Sequence, residues 1–220
     1  MSSAIISRGA KRFRVIVLGV STGGVQALKQ FLGALPADFP LPILVVQHIS
    51  PESGDGLARL LDELCAVRVK EADEEERMAA GCVYLAPPNY HLLVERDGLL
   101  SLSSESPVNF ARPSVDMLFE SAAAAFSDGV IGVVLTGAGF DGGQGIRRIK
   151  QEGGTVIIQD PADAEASSMP EHALGLVAAD HVTSLEQLPV LLRQLLAEDQ
   201  AGRPWSRGQG KNRLNGGESQ

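Results

Sequence analysis

Aromatic residues, cysteines and long apolar runs are all scarce in this chain of 220 residues. Aromatic side chains make up 5% of the sequence, and no histidine is spaced to complete a zinc site with the two cysteines, Cys65 and Cys82. No apolar run approaches the ~20 residues of a membrane span, and the first residues lack the order of a secretion signal. The sequence therefore predicts a cytoplasmic protein without a metal site. We expect the two cysteines to be free thiols, with a disulfide between them as the alternative.

Basic residues are also in short supply. The chain has 19 lysines and arginines against 27 aspartates and glutamates, for a formal net charge of −8. A protein of this sign is repelled by phosphate backbones and by acidic membrane surfaces. Nucleic acid and direct membrane insertion are therefore not expected. The hydrophobic content of 44% is typical of a globular protein, and the length allows one domain with a full core.

Short β-branched runs alternate with helix-like segments along most of the chain. The strand-like runs are Arg14–Leu18, Ile43–Gln47, Val130–Leu135 and Thr155–Ile158. Helix-like segments follow at about 25–35, 57–64, 145–152 and 184–198. Continuous apolar strands that alternate with helices indicate a doubly wound α/β fold, in which a mainly parallel sheet has helices on both faces.

The middle of the chain interrupts this alternation. Three short strand-like runs follow one another there, with turn residues such as Asp97-Gly98 between them: Val83–Ala86, Leu92–Glu95 and Leu99–Leu102. The spacing predicts an antiparallel hairpin insertion. Residues 13–198 form the predicted globular domain, preceded by an N-terminal extension at 1–12. Apolar periodicity stops at Asp199, so we expect a disordered tail at 199–220.

A serine, a histidine and an aspartate each follow one of the predicted strands. Ser21 lies in the glycine-rich segment after the first strand, His48 directly follows the second, and Asp141 lies among glycines after Val130–Leu135. Because the carboxyl ends of parallel strands meet at one edge of a sheet, we expect these side chains to lie close together. They are the residue types of a nucleophile, its general base and the carboxylate that orients the base. The N–H of Thr22, next to the nucleophile, is the expected first oxyanion donor.

Each of these residues has another explanation when taken alone. Gly19–Gly24 could bind phosphate, although it matches neither of the usual nucleotide-binding glycine motifs. His48 could be structural, and Asp141 could stabilise a turn. Ser114 stands at the start of a helix, where capping is its expected role. The joint placement of three such residues favours a catalytic triad.

Several stretches of the chain resemble the catalytic domain of the CheB-type protein-glutamate methylesterases of bacterial chemotaxis. The resemblance spans roughly residues 13 to 197, and its segments, in chain order, are highly specific. They are GVSTGGVQAL (Gly19–Leu28), VVQH (Val45–His48), VYLAPPNYHL (Val83–Leu92), RPSVDMLFES (Arg112–Ser121), LTGAGFDGGQG (Leu135–Gly145) and SMP (Ser168–Pro170).

The resemblance implies a serine hydrolase without a cofactor. That family removes γ-methyl esters from glutamates of chemoreceptors and deamidates certain receptor glutamines, and its triad falls on Ser21, His48 and Asp141. Ala138 stands where the family usually has methionine, and its N–H is the second expected oxyanion donor. We expect Arg112 and Met169 to lie on the substrate surface beside the site. The implied partners are cytoplasmic helices of methylated chemoreceptors.

We expect regulation of this protein to differ from that of the two-domain members of the family, which carry a phosphorylatable receiver domain. Only about a dozen residues precede the first strand here. The sequence therefore predicts a stand-alone catalytic domain with constitutive activity, controlled if at all by a separate partner. Two alternatives stay open: an esterase or amidase for a small molecule, and a non-catalytic module that binds receptor helices.

Overall fold

Seven parallel strands form the centre of the fold in the computed structural model, which describes residues 13–48 and 56–201. In chain order the strands are β1 (Val15–Val20), β2 (Ile43–Gln47), β3 (Arg68–Glu71), β4 (Cys82–Leu85), β5 (His91–Val94), β6 (Leu100–Ser103), β7 (Val130–Val134), β8 (Thr155–Gln159) and β9 (His181–Thr183). The main sheet has the order β3-β4-β2-β1-β7-β8-β9, while β5 and β6 pair as a separate antiparallel hairpin. The central strands are buried along their whole length, which is why they read as unbroken apolar runs.

Helices cover both faces of the main sheet. They are α1 (Gly24–Gly33), α2 (Gly56–Leu64), α3 (Val115–Phe126), α4 (Gly143–Gln151), α5 (Ser168–Leu176) and α6 (Leu188–Ala201). One core contains Phe31 of α1, Leu61 of α2 and Leu192 of α6. The second core, on the opposite face, contains Phe119 of α3 and Ile149 of α4 together with residues of α5 and the hairpin. The predicted fold class, a doubly wound α/β sheet with a hairpin insertion, is confirmed.

The hairpin insertion is smaller than predicted. Residues 82–85 form β4 inside the main sheet, parallel to both β3 and β2, so the assignment of Val83–Ala86 to the insertion is wrong. All four residues of β4 are buried, as in the other parallel strands, and only β5 and β6 form the hairpin. The short strand β3 was not predicted, because its sequence RVKE carries the charges of an exposed sheet edge.

One further expectation needs correction, and it concerns the end of the last helix. The last helix α6 continues to Ala201 and buries Asp199, whose carboxylate accepts a hydrogen bond from the Phe13 N–H at 3.4 Å. The ordered domain thus extends past the predicted boundary at Glu198. The predicted extension at 1–12 and the rest of the predicted tail, 202–220, lie outside the described residues.

Cys65 and Cys82 are free thiols, as expected. None of the helices in the described ranges has both the length and the apolar character needed to span a bilayer.

The strand order creates a crevice at one end of β1. From β1 the chain passes through α1, which packs on one face, to β2 on one side of β1. After the chain returns, β7 pairs with the other side of β1 and leads into α4 on the opposite face. Loops that leave neighbouring strands toward opposite faces open a crevice at the carboxyl edge of the sheet, where α/β proteins bind their ligands.

Candidate active site

Ser21 and His48 follow two neighbouring strands at the same height. The register of β1 and β2 ends on the pair Val20 and Gln47, so the next residue of each strand is Ser21 or His48. The backbone continues the sheet at both positions, because the Ser21 N–H donates to Thr136 O at 3.0 Å and the His48 N–H donates to Val20 O at 3.2 Å. The sheet thereby places the serine and the histidine side by side, as the sequence predicts.

His48 is joined to Asp141, which the β7–α4 loop brings to the same crevice. The two side chains meet at 2.9 Å between Nε2 of the imidazole and Oδ2 of the carboxylate. A carboxylate only accepts hydrogen bonds, so the proton of the neutral imidazole is on Nε2 and the lone pair is on Nδ1. Nδ1 is therefore the nitrogen that can act as a base. In chymotrypsin-type proteases the two nitrogens have the opposite roles: Nδ1 faces the aspartate and Nε2 is the base.

The amino end of α3 is directed at Asp141. The N–H groups of Val115 and Asp116 donate to its carboxylate at 2.7 and 3.1 Å, and the Ser114 hydroxyl donates at 2.9 Å. The Gly142 N–H completes the shell at 3.0 Å. Ser114 occupies the cap position of α3 but makes no side-chain cap bond, so its predicted capping role is wrong. The hydroxyl binds Asp141 instead, and Asp141 supplies the acceptor that the first turn of α3 needs.

These contacts keep Asp141 ionised. The side chain is 5% exposed, and burial alone raises the pKa of a carboxyl because it disfavours the charge. The hydrogen bonds from His48, Val115 and Asp116 outweigh burial and bring the pKa of Asp141 below its ordinary value of 3.8. A charged carboxylate of this kind orients the imidazole and stabilises its protonated form.

The Gln47 side chain holds the backbone at Ser21 and His48. Its side-chain amide nitrogen donates to Ser21 O at 3.0 Å and to His48 O at 2.9 Å. The residue is 6% exposed, and its oxygen lies so close to Gly24 that a Cβ there would come within 1.9 Å of it. Only glycine fits at that point of α1. Gln47 belongs to the VVQH segment of the family resemblance, and its place beside His48 is the sequence signal for this role, which was not predicted.

Backbone donors for an oxyanion lie next to Ser21. Gly23, with φ 80°, follows Thr22 and turns the chain into α1, which starts at Gly24. Both Thr22 and Ala138 are exposed, and within residues 13–48 and 56–201 neither N–H donates a hydrogen bond. The Thr136 hydroxyl stabilises the backbone at Thr22, because it donates to Thr22 O at 2.9 Å. Over the same ranges Ser21 Oγ has no hydrogen bond to His48, a contact that apo active sites often form only with substrate.

An open cavity of about 450 Å³ lies against the His48–Asp141 pair. Ala138 lines it, and so does Arg112, whose guanidinium donates to Ser104 O and Glu105 O at 2.9 and 3.0 Å. Ser21 lies beside this cavity and not on its wall. Met169 is 1% exposed, and its sulfur packs beside Gly137, so it supports the loop after β7 from beneath. Its expected position on the substrate surface is therefore not what the structure shows.

A second histidine, His91, does not join the site. His91 is fully buried in β5, where Nδ1 accepts from the Ser114 N–H and Nε2 donates to Ser106 O, both at 3.2 Å. It supports the segment that carries Ser114. In the described part of the chain, no cluster of three or more histidine, cysteine or acidic side chains could hold a metal ion.

Fold and site together define a class of protein. A doubly wound sheet that presents serine, histidine and an ionised aspartate at its crevice, with unused backbone N–H groups beside the serine, has the parts of a serine hydrolase. Comparison with protein families identifies the particular kind: the chain belongs to the CheB methylesterase family, whose model matches residues 16–192.

Similar proteins carry consistent names. A putative protein-glutamate methylesterase/protein-glutamine glutaminase of Leptospira interrogans is 47% identical over 183 residues, which is 83% of this chain and 95% of that protein. A protein-glutamate methylesterase/protein-glutamine glutaminase of Paraburkholderia xenovorans is 41% identical over 84% of this chain, which spans about half (51%) of that protein. The crystal structure of the Thermotoga maritima CheB methylesterase catalytic domain matches with a TM-score of 0.80 and 36% identity, over 83% of this chain and 98% of that one.

These comparisons confirm the family and the fold class that the sequence predicts. They do not test which side chains act, so the roles of Ser21, His48, Asp141, Thr22, Ala138 and Arg112 stay predictions.

Proposed function

We propose that this protein is a serine hydrolase that removes γ-methyl esters from glutamates of chemoreceptor-like proteins. The observation that carries the proposal is the His48–Asp141 hydrogen bond of 2.9 Å, which leaves the lone pair of the imidazole on Nδ1, at the sheet position next to Ser21. The family to which the chain belongs, and the names of its relatives, supply the substrate class.

The reaction proceeds by acyl transfer to the serine and then to water. His48 Nδ1 takes the hydroxyl proton as Ser21 Oγ attacks the ester carbonyl, and Asp141 stabilises the imidazolium. The N–H groups of Thr22 and Ala138 donate to the oxyanion. The imidazolium then gives its proton to the departing methoxide, and methanol leaves. Water, activated by the same nitrogen, hydrolyses the acyl-enzyme to free glutamate and serine.

Deamidation of glutamine uses the same groups. The amide carbonyl occupies the ester position, and the –NH2 group of the tetrahedral intermediate takes the proton from the His48 imidazolium and leaves as ammonia. Because an unprotonated NH2⁻ is a far poorer leaving group than methoxide, this step depends more strongly on protonation by the imidazolium. We therefore include a glutaminase activity in the proposal, as the names of the relatives suggest.

The proposed partners are cytoplasmic helices of chemoreceptor-like proteins, which places the activity in the cytoplasm. The net charge of −8 gives no general attraction to an acidic receptor segment, so recognition depends on the surface around the site. Arg112 is the cationic side chain on the wall of the cavity and would face an acidic group next to the ester. Control by a separate partner belongs to the same proposal.

A small-molecule esterase is the main alternative, and the open cavity argues against it. The exposed residues Ala138, Gly139 and Phe140 form part of its rim. Sites for small molecules usually enclose most of their ligand. A site open on one side suits a side chain presented on a larger protein.

Methanol release from a methylated receptor fragment tests the proposal. Ser21→Ala should abolish release, because the acyl-enzyme cannot form, while the melting temperature stays within a few degrees of the parent value. A serine-reactive fluorophosphonate should label the parent and not S21A. Labelling without methanol release would assign the site to another ester. Failure of both would point to a non-catalytic binding module.

A further inference from the structure

Phe110 is the most exposed large apolar side chain in the described part of the molecule, at 100%. It lines the cavity that holds His48 and Asp141. A fully exposed aromatic ring contributes no burial to the stability of the fold. The reason for its position therefore has to be sought in what the cavity binds.

The backbone at Phe110 belongs to a tight two-residue turn. Val108 and Ala111 exchange both of their N–H···O bonds, at 3.1 and 2.9 Å, and the residues between them have φ values of 51° (Asn109) and 65° (Phe110). Two positive φ values define a type I′ turn, which favours Asn followed by Gly. Asn109 fits this preference, whereas Phe110 holds a left-handed conformation that an aromatic residue adopts only with strain.

The turn is fastened to the catalytic carboxylate. The Asn109 amide donates to Asp116 Oδ2 at 2.9 Å and to Asp141 Oδ1 at 3.4 Å. Because Asn109 is tied to the carboxyl that orients His48, the backbone of its neighbour Phe110 is held at a defined distance from the reacting atoms. The exposed Phe110 ring is therefore carried by a fixed turn.

A second aromatic ring lines the same cavity. Phe140 lies two residues after Ala138 in the loop after β7 and is 52% exposed. It packs edge-on against His172 with ring centroids 6.0 Å apart. The rim of the cavity thus combines two exposed aromatic surfaces with the polar groups of the reaction site. This composition suits a substrate segment that carries an apolar side chain close to the ester.

We infer that Phe110 is a substrate-contacting residue that selects segments with an apolar side chain one helical turn from the methylated glutamate. The inference rests on the proposed function and goes beyond it by naming what the site recognises outside the ester. On a helix, residues three and four positions apart lie on the same face, so the ester and the apolar group reach the crevice together. Partial burial of the ring against that group supplies binding energy.

Two helical peptides test the inference, each with one γ-methyl glutamate and either leucine or serine four residues away. The parent should have a kcat/KM at least about fivefold higher for the leucine peptide, the ratio expected when part of a phenyl ring is buried. F110A should remove most of this preference through a higher KM for the leucine peptide. V190A is the matched control, because Val190 is exposed to 46% on α6 and lies away from the cavity. V190A should keep the parent preference.

A second variant separates recognition from structure. F110G produces the residue that a type I′ turn favours, so its melting temperature should equal or exceed that of the parent while the leucine preference is lost. A clear fall in the melting temperature would mean that the ring has a structural role and would overturn the inference. So would an undiminished leucine preference in F110A. If the parent releases methanol from neither peptide but still hydrolyses a small ester, the proposed function fails and the inference fails with it.

Discussion

At the scale of single residues, Asp141 has the most crowded surroundings in the site. Its two oxygens accept from the imidazole, a hydroxyl and three backbone N–H groups, and they also receive a longer bond from Asn109. Burial favours the neutral form, yet these donors lower the pKa of Asp141. One carboxylate therefore both orients the predicted catalytic base and caps α3.

Asp141→Asn should lower kcat by on the order of 10²–10⁴-fold without abolishing activity. The amide keeps the shape of the side chain but not its charge, so the imidazolium loses its counter-ion and the proton is no longer held on Nε2. The measurement is the rate of methanol release at saturating substrate. Asp38→Asn is a suitable control, because Asp38 is exposed just beyond the carboxyl end of α1, away from the crevice. A kcat for D141N within about twofold of the parent would remove Asp141 from the triad.

At the scale of secondary-structure elements, the site depends on how closely α1 approaches β2. Gly24, the first residue of α1, touches the Gln47 side chain that bonds the carbonyls of Ser21 and His48. The position of α1 and the geometry of the predicted triad are therefore coupled through one amide group.

Gly24→Ala should destabilise the protein by about 1–3 kcal/mol and lower kcat, because the added methyl group displaces the Gln47 amide. Gly33→Ala is the matched control in the same helix, since a Cβ at Gly33 meets nothing within 4 Å. That variant should be neutral or slightly stabilising, as alanine is the better helix former. Chemical unfolding and methanol release measure the two effects. Equal stabilities for G24A and G33A would contradict the proposed coupling.

At the scale of the whole molecule, two neighbouring carboxyls make stability depend on pH in opposite directions. Burial raises the pKa of Asp141, but the hydrogen bonds that it accepts lower the pKa by more, so the net shift is downward. Ionised Asp141 therefore stabilises the folded protein above about pH 4, and this stabilisation is lost as the pH falls through the folded-state pKa. Burial and the nearby charge of Asp141 raise the pKa of Asp116 against the hydrogen bond from the Gly145 N–H. The folded state thus binds the Asp116 proton more tightly, and stability is lost as the pH rises through that raised pKa.

The free energies of unfolding of D116N and D141N, each measured relative to the parent, should change in opposite directions between about pH 3 and pH 6. Relative to the parent, D116N should gain stability as the pH rises, because it lacks the group whose ionisation opposes folding. D141N should lose stability relative to the parent over the same range. Urea unfolding at several pH values gives the two differences. Differences that run in the same direction would show that one of the two pKa shifts has the wrong sign.

Four strands of the main sheet (β1, β2, β7 and β8) and the positions of Ser21, His48 and Asp141 could be predicted because their signals are local. Unbroken apolar runs mark strands that are buried on both faces, and each polar residue follows such a run directly in β1, β2 and β7. The parallel arrangement then fixes which edge of the sheet these residues share. The charged strand β3, the short strand β4 and the three-residue strand β9 have no such unambiguous pattern, so only strand pairing decided their place.

The partners of Asp141 and the role of Gln47 were decided only by tertiary structure. Ser114 carries the sequence signature of a helix cap, but the carboxylate delivered by a loop 27 residues away takes that role and binds its hydroxyl. Met169 belongs to a motif that suggests a substrate surface, yet packing against Gly137 buries it. Sequence patterns report the periodicity and turn chemistry of neighbouring residues. Which donor meets which acceptor depends on distances between segments far apart in the chain, and those exist only after the sheet and its helices have packed.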